Sequence, residues 1–153
     1  MPRLHWEDFA VGHVAEYGPR RVTAAEIKAF AAEFDPQPMH LDEEAARASM
    51  MGGLCASGWH SCALMMRIIA EGFVLDSASM GAPGCDEVKW LAPVRPDDLL
   101  RVRATVLATR PSNSRRDLGF VNFRFDLLNA AGTPVMRLTT HMMFRRRHEG
   151  APP

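Results

Sequence analysis

The residue types best suited to chemistry lie close together in Asp35-Pro36-Gln37-Pro38-Met39-His40. A carboxylate and an imidazole held in a set relation can orient one water molecule and move its protons. Proline fixes φ, so a segment containing Pro36 and Pro38 has little freedom and could hold that relation. The same spacing suits a rigid turn in which Asp35 caps backbone amides and His40 is exposed, and on spacing alone the turn is the commoner outcome. His40 and Asp42 could act as two metal ligands, but no third follows at a recognisable spacing, so no metal site is expected.

A second candidate is Ser57-Gly58-Trp59. A glycine that opens a helix leaves amide N–H groups without intrahelical partners, with the positive end of the helix dipole behind them. Such a place can stabilise an oxyanion. The plainer reading gives Ser57 a capping role and Gly58 a packing one. His60 reads as a buried, satisfied histidine. Arg110, Arg115, Arg116 and the run Arg145-Arg146-Arg147 could meet the phosphates of a charged carrier, although arginines so placed more often form a solvated surface or a frayed end.

These segments need elements to hold them. Thr23-Ala-Ala-Glu26 is a capping box, and Ile27, Phe30, Ala31 and Phe34 follow at helical spacing. Pro36 ends that helix, because the residue before a proline is pushed out of the helical region. The segment from Asp35 to His40 is then a loop, Asp42 to Ala48 a short helix, and Met50 to Ser57 an irregular loop. Gly58 opens a second helix in which Trp59, Cys62, Ala63, Met66, Ala70 and Phe73 form one face, while Leu64, Met65, Ile68 and Ile69 fill most of the others. A helix of about four turns that is apolar nearly all round is buried. After Cys85 the period becomes two. Glu87 to Leu91 is a short strand, and three longer strands alternate through Leu100–Val106, Val121–Leu127 and Met136–Phe144, with turns at Pro111–Ser114 and Asn129–Gly132. Helices followed by an antiparallel meander indicate an α+β fold, with a curved sheet wrapped around the apolar helix.

The chain has 153 residues, 47% hydrophobic and 24% charged, and the reading is a single domain over 1–153 with its core at about 9–146. Its 18 basic and 18 acidic residues cancel, so no field of one sign draws nucleic acid or an anionic membrane. Three cysteines without C-x-x-C spacing argue against a disulfide framework or structural zinc and suit a cytoplasmic location. The first residues contain no apolar signal-peptide core, and the longest apolar run, broken by Arg67 and Glu71, is too short and polar to span a bilayer. Ten methionines suit adaptable core filling, or a pocket for flexible apolar ligands. Nucleotide-loop, zinc-protease and serine-hydrolase motifs are absent from the sequence.

Phe34-Asp35-Pro-Gln-Pro-Met-His40-Leu-Asp42 resembles the hydratase motif of the MaoC-like (R)-specific enoyl-CoA hydratases. The likeness continues through Ala56-Ser57-Gly58-Trp59-His60 and Val88-Lys-Trp-Leu-Ala-Pro-Val94-Arg-Pro-Asp-Asp98, and covers about Phe9 to Phe144. It implies a hot-dog fold, an antiparallel sheet around a central helix, and a homodimer with the two sheets joined and sites near the interface. It also implies a hydro-lyase acting on trans-2-enoyl-CoA thioesters, with no cofactor beyond the CoA carried by the substrate. Carried over by position, Asp35 would be the general base, His40 its partner on the water, and the Gly58 amide the oxyanion donor. Ser57 stands where many relatives have histidine, and Trp59 is bulky beside it; both bear on the acyl-chain preference. Met39, Met50, Met51, Leu54 and Trp59 are the apolar residues near in sequence that could shelter an acyl tail. Two rivals remain. A hot-dog acyl-CoA thioesterase would need a carboxylate aimed at the thioester, and the central helix offers only Glu71 near its far end. A catalytically silent acyl-binding protein would not need both Asp35 and His40.

Overall fold

The computed structural model describes residues 1–148, so 149–153 of the expected domain lie outside the described residues. A turn of 3-10 helix at Trp6–Asp8 precedes β1 (Val14–Arg21). Three helices follow, α1 (Ala24–Phe34), α2 (Pro38–Leu41) and α3 (Glu43–Ala48). The central helix α4 (Gly58–Ile69) continues as a π-helical turn, Ala70–Val74. The remaining strands are β2 (Cys85–Trp90), β3 (Leu99–Pro111), β4 (Leu118–Leu128) and β5 (Pro134–Arg145). These strands pair antiparallel in the order β1-β3-β4-β5-β2. The fold is α+β with the hot-dog arrangement.

Register explains the core. Val102 faces Leu127 and Leu127 faces Met136; Ala104 faces Phe125 and Phe125 faces Leu138. These rows point to one side of the sheet. There they form one apolar cluster with Leu64, Met65, Ile68 and Ile69 of α4 and with Phe73. Burying that many large side chains, each worth about 1.5–3 kcal/mol, fixes α4 across the sheet.

The structure corrects three expectations. β1 is a strand the alternation did not announce, because Gly18-Pro19 interrupts it and the register shifts there. Pro38 sits at the start of a helical turn, so the segment read as a loop ends in α2. The central helix is not buried all round. His60, Ser61, Leu64, Met65, Ile68 and Ile69 are inside, whereas Trp59, Ala63 and Met66, on the face named first from the sequence, are exposed.

Candidate active site

Asp35 is the residue at which α1 stops, its backbone N–H donating to the Ala31 carbonyl in the last turn. Pro36 forbids continuation. Three residues on, Pro38 starts α2, and its single turn carries His40 inward. His40 is 5% exposed, so it is not the surface residue that the rigid-turn reading required. Its Nδ1 lies 2.7 Å from the Cys55 carbonyl, which can only accept, so Nδ1 carries the proton. In the neutral ring Nε2 then keeps its lone pair, and Nε2 is 3.5 Å from Asp35 Oδ2.

Asp35 is held at both oxygens. The Ser57 hydroxyl donates to Oδ2 at 2.6 Å, and Gln37 Nε2 donates to Oδ1 at 2.7 Å. The Ser57 bond first, then Gln37, and then the neighbouring imidazole hold the carboxyl below its ordinary value against the opposing effect of burial. Asp35 is therefore a carboxylate at neutral pH. Ser57 is fully buried and also accepts from the Trp59 amide at 3.3 Å, so it links Asp35 to the first turn of α4.

The Gly58 amide, the first of α4, makes no hydrogen bond among the described residues. Gly58, Asp35 and His40 border one cavity of about 410 Å³ together with Gln37, Met39, Met51, Trp59, Trp90 and Leu91. The structure thus brings Asp35, His40, Gly58, Met39, Met51 and Trp59 together. It leaves out Leu54, which is buried in the core because the loop turns its side chain inward, and Met50, which points to solvent. Ser57 lies behind the wall.

Three residues at the site carry no role in the sequence reading, and a fourth, His60, departs from it. Gln37 stands in the quoted segment without a role, although its amide reaches back two residues to Asp35. Trp90 was read as a strand residue; its Nε1 donates to the Gly58 carbonyl at 2.9 Å. Arg95 was quoted only as part of a strand signature; its guanidinium holds the Met51, Gly53 and Leu54 carbonyls and so ties down the loop that ends at Cys55. His60, expected to be satisfied, stacks on Phe30 with centroids 4.5 Å apart, but its Nδ1 has no partner among the described residues. Burial holds its pKa below the usual histidine value.

Of the arginines, Arg115 pairs with Asp117, Arg146 lies over Trp6 and Arg147 pairs with Asp8, all away from the cavity. Among the described residues no group of three or more His, Cys, Asp or Glu could hold a metal, and no helix is long and apolar enough to cross a membrane.

The chain is similar to several known proteins. The family model for the MaoC-like domain matches residues 9–119. A MaoC-like dehydratase from Rhodospirillum rubrum superposes with a TM-score of 0.88 at 49% identity, over 95% of this chain and 99% of that one. Mesaconyl-CoA hydratase of Cereibacter sphaeroides is 31% identical over 152 residues, which is 96% of this chain and 43% of the relative. The (R)-hydratase PhaJ1 of Pseudomonas aeruginosa shares the fold, with a TM-score of 0.72 at 24% identity over 97% of this chain and 94% of that one. The family model and the 49%-identical structure show that the chain belongs to the MaoC-like dehydratase family.

Proposed function

We propose that the chain adds water reversibly to trans-2-enoyl-CoA thioesters, giving (R)-3-hydroxyacyl-CoA. The observation that carries this reading is the facing pair of acceptors, Asp35 Oδ2 and His40 Nε2, 3.5 Å apart at the wall of a largely apolar cavity that also holds a free helix-terminal amide. One water can donate a proton to each acceptor and aim an oxygen lone pair at a carbon in the cavity. As the C–O bond forms at the β-carbon, electrons move through the double bond to the thioester oxygen. The Gly58 N–H and the helix dipole stabilise that oxyanion. The water's proton passes to Asp35, which then delivers a proton to the α-carbon and closes the C–H bond. The reverse path is dehydration. CoA enters as part of the substrate.

A homodimer fits the same reading. Strand β2 is a sheet edge, and Met66 and Leu91 are exposed apolar residues that a second copy would cover. The thioesterase alternative would place its carboxylate at Glu71, which is bonded to Arg67 at 2.5 Å and borders a different cleft from Asp35.

The test is the absorbance of a conjugated enoyl thioester. Loss of the enoyl band without free thiol, with an (R)-3-hydroxyacyl product, is the expected result. Release of thiol would favour thioester hydrolysis, and an unchanged band would leave only binding.

A further inference from the structure

We propose that Trp90 is a positioning residue for the oxyanion site: its indole braces the first turn of α4 and restricts position 58 to glycine. The inference rests on the reading of Gly58 given above and goes beyond it. Trp90 ends β2, a strand remote in sequence from the catalytic segment. Its ring occupies the space into which a side chain at residue 58 would project. A Cβ there would stand 2.5 Å from Trp90 Cε2, 2.7 Å from Nε1 and 2.8 Å from Cδ2, closer than real Cβ contacts come. From the same ring the N–H reaches the Gly58 carbonyl at 2.9 Å. Trp59 meets the ring edge-on, with centroids 5.4 Å apart, and limits where the indole can go.

Two sides of residue 58 are therefore held by one side chain, and the residue itself borders the cavity. Ser57 holds the preceding residue through Asp35 and the Trp59 amide. The peptide unit that would meet the thioester oxygen is clamped from both ends, so little reorganisation is needed as charge develops. A side chain at 58 would displace the indole, break its bond to the carbonyl and fill the space in front of the amide.

The experiment is a double-mutant cycle with trans-2-butenoyl-CoA as the probe, reading kcat, KM and Tm. Trp90→Phe keeps a flat ring and loses one hydrogen bond; kcat falls roughly 2- to 10-fold while KM changes little. Gly58→Ala alone costs more, and adding Trp90→Ala to it raises kcat and Tm above the Gly58→Ala values, because the clash is relieved. Multiplicative losses in the double variant, or a Trp90→Phe that raises KM with kcat intact, would overturn the proposal and reduce Trp90 to a wall of the cavity. If the wild-type chain turns over no enoyl thioester, the hydratase reading fails by itself. Tm coupling between positions 58 and 90 still tests the brace, and additive Tm losses would overturn it.

Discussion

At each end of the central helical segment a glycine lies beneath an aromatic ring from an edge strand. Gly58 lies under Trp90 of β2; Gly72, in the π-helical turn, lies under Tyr17 of β1, where a Cβ would come 2.5 Å from the ring. The packing device is the same, and the chemistry is not. At Gly58 the helix presents a free amide to a cavity bordered by Asp35 and His40. At Gly72 the helix runs out as a π turn, its carboxylate Glu71 is tied to Arg67, and Tyr17 packs on Phe73 with burial raising its pKa. Close packing on glycine thus secures both ends, and among the described residues the N-terminal end adds an amide without a partner beside a carboxylate and an imidazole.

The largest effect that could break this contrast is on turnover. Asp35→Asn, nearly isosteric and unable to take the proton, is expected to lower the hydration rate by about 10²- to 10⁴-fold in a folded protein. Glu71→Gln is expected to leave it within about twofold, since exposed i,i+4 pairs contribute only about 0.3–0.5 kcal/mol. Steady-state assay of both variants decides; the opposite ranking would move the chemistry to the far end of the helix. An intermediate effect is expected on stability. Gly72→Ala overpacks against Tyr17 and should cost about 1–3 kcal/mol in denaturant unfolding with kcat unchanged, whereas Gly58→Ala should reduce both.

The smallest expected effect is in the pH profile. Asp35 has a folded pKa below its unfolded one, so its contribution to stability is present above the unfolded value of about 3.9 and fades as pH falls through the folded value. Ser57→Ala removes the foremost cause of that depression. The acid limb of kcat/KM should move to higher pH, and the stability Asp35 supplies should shrink; an unmoved limb would mean Ser57 does not tune the base.

How much of this was legible in the sequence follows from which signals are local. Thr23 and Glu26 announce α1 within one turn, and the capping box is formed as expected. The period-two alternation of β3, β4 and β5 states which side faces the core. β1 was hidden because Gly18-Pro19 breaks its alternation. The central helix showed that it was apolar but not which stripe goes in, because its two faces score alike until a sheet covers one. In the site, the order of Asp35, His40 and Gly58 was readable, yet the burial of His40 was not: its acceptor, the Cys55 carbonyl, is 15 residues away and carries no side-chain signature. Trp90 and Arg95 act through carbonyls of distant residues, and such contacts leave no spacing to read.

The placing of Trp59 and Trp90 has an optical consequence. Of the three tryptophans in the chain, these two border the cavity, while Trp6 packs on Gly119 beneath the Arg146 guanidinium. Trp59 and Trp90 are 62% and 47% exposed, so both report on water at the mouth. Once Trp6→Phe removes the distant emitter, the fluorescence of the chain comes from the walls of the cavity alone. An apolar tail that displaces water from those rings shifts the emission to shorter wavelength, and occupancy can be titrated without any turnover.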